Sequence, residues 1–417
     1  MLSPRHQANG LNKVGRSAKC HARSFDPYTV KSMPPANISM ALPVVKIAAE
    51  CADYASTLEP YLYQLRPLPQ LVLEHITNFA ALKQLYIDTN PFITGLAASI
   101  ALAPFFLFAA ELNQNWSQID RFWSIIPTLY NLHWALWTHV SGLSTERLDL
   151  RLLVSVAWSV RLTFNYWRRG GYEIGSEDYR WAIIQKKIGQ PWFFLLDVTF
   201  ISLGQNVLLF LVTCPSYVAV LVSRLDTAYN DRALSYLDYY FAGQILYLVG
   251  QSWFADQQQW DYQTAKHEYQ KTAKIPANSG FTAEQLDRGF RTTGLWAYSR
   301  HPNFTSENLI WWSFYLWSAL LAEKPLNWTI VGPIIYSLVF AGSTPITERI
   351  SGDKYPEYRE YQQQVGMFLP KSLSPPKFSG RFSPQKKRIT SGSQGSAETS
   401  KKNAEDYAQA KKRYDLR

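Results

Sequence analysis

Apolar residues in this chain gather into long blocks rather than alternating along strands or striping one helix face. A bilayer core about 30 Å thick needs about 20 mostly apolar residues per spanning helix. Seven blocks approach that length. Phe92–Ala110 has no charge, with Pro104 as a kink point, and Phe122–Val140 is made polar by His133 and His139. Leu150–Trp167 is interrupted by Arg151 and Arg161, whereas Trp192–Ser223 carries only the Asp197 charge. That fourth block exceeds one crossing, so Pro215 is expected to end the span and turn the chain. Tyr236–Ala255 follows, with Asp238 near its start. Ile310–Ala322 and Trp328–Phe340 then flank Lys324-Pro325-Leu326, which reads as a tight hairpin. The expected fold class is all-α: a polytopic integral membrane helical bundle of about seven transmembrane helices with disordered polar termini. Six or eight spans would also fit.

Composition changes this picture little. The slightly negative mean hydropathy averages two polar ends with an apolar middle. The division expected is an arm over 1–40, disordered or targeting, a membrane-proximal segment over 41–91, a transmembrane domain over 92–370 and a disordered basic tail over 371–417. Fifteen tryptophans suit membrane–water interfaces, where a ring can be apolar at one edge and hydrogen-bonded at another. The net charge of +10 sits largely in the tails and in Trp167–Gln190 and Asp256–His301. The positive-inside tendency places these two loops and the C-terminal tail in the cytosol. Nucleic acid is excluded as a partner, because no basic stripe interleaves with aromatics along one element.

The N-terminus fits less well, since seven spans would put it across the membrane. Residues 1–25 carry Arg5, Lys13, Arg16, Lys19 and Arg23 with no acid. Either a segment near Leu42–Leu65 re-enters the membrane, or the start is a mitochondrial-type targeting signal or a plain basic arm. Cys20, Cys51 and Cys214 are too dispersed for a disulfide framework or metal cluster.

Charges inside spans are costly and so mark places of interest, at about 2.5–3.5 kcal/mol each by insertion scales. Arg161 would snorkel, pair with Asp197, or line a polar cavity. Arg168, Arg169 and Glu177-Asp178-Tyr179-Arg180 lie at the expected cytosolic mouth and, singly, read as solvated loop charges. Asp256-Gln257-Gln258-Gln259-Trp260 closes the fifth block, either as a wet helix end or as a cradle for an amide- or ribose-bearing ligand. The segment Gly294 to Glu307 places Arg300, His301 and Asn303 just before an apolar run. Pro302 suits a first helical turn, which would put Arg300 and His301 at a helix N-terminus, a natural anion site. Asn303 and Glu307 would then share a face one turn apart. After the last block come Thr347-Glu348 and then Lys354 to Tyr361, where Tyr355, Tyr358 and Tyr361 recur every third residue. They are expected to form the aromatic edge of a surface helix. No dinucleotide or phosphate-loop glycine motif is present, nor a His-Glu-x-x-His or Cys-x-x-Cys pair, so no metal is indicated.

Together these motifs resemble the steroid-reductase-like membrane family, in its branch of proteins sharing the domain DUF1295. The family's Gly-Leu-Trp-x-Tyr-Ser lead and Arg-His-Pro-Asn are matched by Gly294 to Asn303. Its Ala-Asp-x-Gln element is matched by Ala255 to Gln258. An upstream Trp-x-x-Arg-Leu, a following Arg and Glu-Asp-x-Arg are matched by Trp158, Arg161, Leu162, Arg168, Glu177, Asp178 and Arg180. A Tyr-rich segment ending in Phe-x-Pro is matched by Tyr355, Tyr358, Tyr361, Phe368 and Pro370. The resemblance covers roughly residues 92–370 and is similar in motif order. Phe304 departs from it by replacing a tyrosine, keeping the ring and losing the hydroxyl.

The resemblance implies an NADPH-dependent membrane reductase acting on a C=C bond of a lipid or steroid-like substrate, in the endoplasmic reticulum, with a mitochondrial membrane as second candidate. Cofactor-binding residues carried over are Asp256, Arg300, His301, Asn303, Glu307, Lys354, Tyr355 and Tyr358, with Arg300 and Lys354 meeting phosphates. No proton donor is assigned. Two other readings stand beside it. One is an S-adenosylmethionine-dependent methyltransferase of the isoprenylcysteine type; the other is a non-enzymatic membrane or lipid-binding protein on the same fold.

Overall fold

The computed structural model describes residues 41–225 and 234–378. The expected arm over 1–40 and the tail from 379 onward lie outside the described residues. Within them the chain is all-helical, with no strand. The principal helices are α1 (Pro91–Asn113), α2 (Ile126–Val140), α3 (Glu146–Arg168), α4 (Gln190–Val222), α5 (Tyr236–Thr272), α6 (Pro302–Leu321), α7 (Val331–Lys354) and α8 (Tyr358–Gln364). Short turns and helices, among them Leu68–His75 and Phe79–Asp88, fill the segment before α1.

Three helical stretches are long and apolar enough to cross a bilayer: Pro91–Asn113, Gln190–Val222 and Trp328–Lys354. The four other expected spans, on α2, α3, α5 and α6, fall short of that measure. α2 has only 15 residues. α3 carries charges through its length, including Arg147, Arg151 and Arg161, and buries all three. α5 runs for 37 residues, well beyond the expected end at Ala255.

Local chemistry explains the boundaries. The Asn90 side chain accepts the Phe92 N–H at 2.9 Å, and Pro91 occupies the first turn of α1 without losing a hydrogen bond. α4 turns as expected: its helix stops at Leu211 and restarts at Pro215. Earlier it widens into a π-helical turn over Asp197–Gly204. There Ser202 lies under Asp197 and donates to Oδ1 at 2.8 Å. Asp197 is therefore occupied within its own helix and is not the partner of Arg161.

The core is aromatic: Trp134, Trp137, Trp158, Trp311 and Trp317 are each under 2% exposed. Tryptophan is rarely so fully buried, and the indole N–H then needs an acceptor. Trp134 finds Thr213 Oγ1 at 3.1 Å, and Trp317 finds Asp238 Oδ1 at 2.8 Å. α5 packs along both α3 and α6. Two buried ion pairs fasten α3 to α5: Arg147 with Asp238 (2.8 Å) and Arg161 with Asp256 (2.6 Å). The pairs are 14 and 18 residues apart on the two helices, roughly 21 and 27 Å at 1.5 Å per residue. They therefore sit near opposite ends of the bundle.

α7 meets α4 at Gly332. A Cβ there would lie 2.4 Å from the Leu211 carbonyl oxygen, a backbone atom that cannot swing aside. Gly332→Ala is expected to destabilise the protein by about 1–3 kcal/mol, read as a lower melting temperature of the purified protein in detergent.

Candidate functional site

The sequence motifs meet at the end of the bundle where α3 and the apolar part of α5 finish and α6 begins. α3 turns one face inward, so that Ser155, Trp158, Arg161 and Asn165 are all buried. That spacing of three and four residues is one helical face. Arg161 lies between two acids. Its Nη2 and Nε donate to Asp256 Oδ2 (2.6 and 3.1 Å), and its Nη1 donates to Glu307 Oε2 at 3.0 Å. Glu307 Oε1 also accepts the Trp158 indole N–H at 2.8 Å and the Tyr336 hydroxyl at 2.9 Å. Asn303 donates its amide to the second oxygen of Asp256 at 3.1 Å. Asn303 and Glu307 thus share a face of α6 as their spacing predicts, each on a different acid.

The loop before α6 is docked on the Ala255–Gln258 element. Trp296 Nε1 donates to the Ala255 carbonyl at 3.1 Å, and the Leu295 N–H donates to Gln258 Oε1 at 3.0 Å. Gly294 makes this close approach feasible. It has φ of +67°, and a Cβ would sit 2.6 Å from the Gln258 side chain. Two of the expected elements therefore form one hydrogen-bonded unit.

Arg300 and His301 point elsewhere. The Arg300 guanidinium grips Glu348 of α7 with both ends, Nε to Oε1 at 2.6 Å and Nη2 to Oε2 at 2.8 Å. Its Nη1 donates to the carbonyls of Gln362 and Val365. His301 Nε2 donates to Glu348 Oε1 at 2.9 Å, and Gln362 caps Oε2 at 2.9 Å. Backbone bonds complete the knot, from Arg300 N–H to the Gly366 carbonyl (2.9 Å) and His301 N–H to Met367 (3.1 Å). The helix does begin at Pro302, but the guanidinium expected to meet a phosphate is spent on a carboxylate and two carbonyls. Phe304 stacks on His301 (5.2 Å between centroids, 20° between planes) and meets Phe340 edge-on.

Tyr355, Tyr358 and Tyr361 are not an exposed edge. Tyr355 ends α7 in an extended conformation (φ −122°, ψ 111°) because Pro356 follows it, and a residue before proline is disfavoured in a helix. α8 starts afterwards, and all three rings gather on Phe290. The Tyr361 hydroxyl donates to the Trp296 carbonyl. Lys354 is exposed above the Tyr355 ring. Buried Lys266 donates to the Gly289 carbonyl at 3.0 Å, and burial holds its ammonium below the usual lysine range. Arg168 donates to Gln257 Oε1 at 2.7 Å and lies 5.1 Å from the Trp260 ring centroid. Tyr336 is the participant that motif reading passed over, and Trp158 and Glu348 were named without a partner. Trp158 had a signal in its spacing to Arg161 and Glu348 in its place after the last apolar block, whereas Tyr336 lies inside an apolar block and had none. Among the described residues no group of acids, histidines and cysteines is arranged to hold a metal.

A chain whose described residues are all-helical, with bilayer-length apolar helices and buried charges knotted together toward both ends of the bundle, has the build of a membrane-associated helical protein rather than of a nucleotide-binding α/β enzyme. It belongs to the DUF1295 family, described as proteins of unknown function, whose model matches residues 105–365. A protein of Schizosaccharomyces pombe described as uncharacterized is 38% identical over 335 residues, covering 80% of this chain and 94% of the relative. No solved structure matches the chain.

Arg161→Ala would leave Asp256 and Glu307 buried without their shared cation. A loss of about 3–5 kcal/mol is expected, measured by thermal unfolding in detergent. Arg161→Lys should recover only part of it, since one ammonium cannot reproduce a fork that reaches two acids. A second outcome concerns pH. Burial pushes the Tyr358 and Tyr361 hydroxyls above the usual tyrosine range. Their neutral forms stabilise the fold fully below about pH 10, and that contribution is lost as pH climbs toward the folded-state values. Above about pH 10 the Phe290 cluster is expected to open, seen as a cooperative rise in tyrosinate absorbance.

Proposed function

We propose that the protein is a membrane-embedded, NADPH-dependent reductase of a C=C bond in a lipid or steroid-like substrate, of the steroid 5-alpha-reductase type. On this reading α1 to α7 are seven crossings of the endoplasmic reticulum membrane, with the knotted end in the cytosol. The observation that carries it is the convergence of Arg161, Asp256, Asn303 and Glu307, drawn from three separate motifs, into one buried network.

The charges of that network specify what it suits. One guanidinium between two carboxylates leaves a formal excess of one negative charge. Such a surface repels phosphate and favours N–H and O–H donors, as in a carboxamide or a ribose hydroxyl. The phosphates would lie against the basic groups outside it, Arg168, Arg169 and exposed Lys354. Arg300 and His301 would act as positioning residues, with Tyr355 and Tyr358 supporting Lys354. Three residues from Asp256 on α5 and one from Glu307 on α6, Gln259 Oε1 and Asn308 Oδ1 are buried carbonyl oxygens without a hydrogen-bond donor, acceptors of the kind a carboxamide or hydroxyl would satisfy. NADPH supplies a hydride when bound. The chain's own residues orient the ring and exclude water, and none is assigned as proton donor.

The same excess of negative charge also suits a sulfonium cation. S-adenosylmethionine, and with it a methyltransferase, is therefore the second reading.

Titration of the full-length protein in detergent with NADPH and, separately, S-adenosylmethionine distinguishes them, read by energy transfer from tryptophan to nicotinamide and by calorimetry. Saturable NADPH binding is expected, weakened about tenfold in Arg168→Ala or Lys354→Ala by loss of one charged contact. Binding of S-adenosylmethionine alone would overturn the reductase reading. Binding of neither would leave a lipid-binding scaffold.

A further inference from the structure

The helix Tyr179–Ile188 takes no part in the buried network and leads directly into α4. Only Gly189, at φ of +80°, separates the two helices and lets the chain change direction. α4 is long and apolar enough to cross a bilayer. A helix joined to its first residue is therefore held where hydrocarbon gives way to headgroups.

The inner side of this helix is fixed. Trp181 is buried and its indole N–H donates to Asp120 Oδ2 at 3.1 Å, while Ile184 packs into the core. Arg180 is neutralised by Asp178 at 2.6 Å. The outer side carries Tyr179, Ile183, Lys186 and Lys187, a spacing of three and four residues that defines one helical face. All four are exposed, Ile183 at 43%. Trp192 follows at 67%, with Phe194 and Leu195 exposed beside it on α4. No acid occurs from Tyr179 to Leu196. Neither lysine has an ion pair or a hydrogen bond among the described residues.

Lysines in a last helical turn complement the helix dipole in any surroundings. That accounts for the two charges but leaves Tyr179, Ile183 and Trp192 turned to water for no gain. The headgroup layer satisfies the whole face at once. Apolar side chains enter the acyl boundary, the tryptophan ring suits the interface, and uncompensated ammonium groups meet phosphodiesters. We infer that this face binds an acidic phospholipid, with the anionic headgroup on Lys186 and Lys187 and the acyl chains along Trp192, Phe194 and Leu195. The site rests on α4 crossing the bilayer and is independent of the reductase reading.

The test uses full-length protein in phosphatidylcholine nanodiscs doped with a phospholipid bearing a photoreactive diazirine in its acyl chain. The doped lipid is phosphatidylglycerol in one set and phosphatidylcholine in the other. Saturable labelling of residues 179–195, stronger for phosphatidylglycerol, is expected. One lysine at an anionic surface is worth about fivefold. Lys186→Gln and Lys187→Gln should each weaken phosphatidylglycerol labelling by that factor, and together by about twenty-five-fold if independent, with phosphatidylcholine unchanged. Both lysines are exposed, so these variants leave the fold intact. Lys186→Arg with Lys187→Arg keeps the charge and should keep the preference. Salt at about 1 M, where the screening length is about 3 Å, should remove it. Equal labelling by the two lipids would mean bulk bilayer only and would overturn the site. So would a preference for phosphatidylglycerol that survives the double glutamine variant.

Discussion

A charge held inside an apolar bundle must find its counter-charge there, because no water is at hand to solvate it. Arg161 is where this constraint bears hardest. Its guanidinium fork reaches an acid on α5 and another on α6, and the second acid is shared with Trp158 of its own helix and Tyr336 of α7. Four helices are thereby set in mutual register by one side chain. Arginine suits the task because its donors are planar and spread, and because it stays charged in surroundings where lysine would lose its proton.

The opposite end of the bundle repeats the arrangement with different accessories. Arg147 holds Asp238, which also receives the Trp317 indole and the Ser235 hydroxyl. Arg151, one turn along α3, is completely buried, with the Trp317 ring face 4.2 Å from its guanidinium carbon. An ion pair at each end prevents α3 and α5 from sliding past one another by a turn, which apolar packing alone resists weakly. In a bilayer the surrounding chains are as apolar as leucine, so such polar contacts carry more of the specificity than they would in water.

The all-helical build was legible from block length, since bilayer thickness writes itself directly into the sequence. The number of crossings was not, since three helical stretches have the length and apolarity of a crossing and α3 hides three arginines inside the bundle. The shared face of Asn303 and Glu307 followed from helical periodicity. The partner of Arg161 did not, because the choice between Asp197 and Asp256 rests on a π-helical turn that gives Asp197 to Ser202, and such a turn has no sequence signature. Arg300 was read from the helix it precedes. Its actual partner, Glu348, lies 48 residues on, on a helix whose rotation no local pattern reveals. The three tyrosines misled in a different way. A period of three suggested one helix, but Pro356 divides it and folds the rings inward.

The length of α5 has a consequence for how the molecule meets its surroundings. Its 37 residues run without a break, roughly 55 Å of rigid rod, against a bilayer core of about 30 Å. If α5 crosses the bilayer as proposed, the surplus stands clear of the lipid and carries with it the loops fastened at Gln258 and at Lys266. Under the proposed reading the charged network would lie at the edge of the hydrocarbon, where a water-soluble molecule and a bilayer-dissolved one could both arrive. Shortening this helix by a few turns would lower that platform into the headgroups, and the meeting point of two solvents would become a place reached from only one.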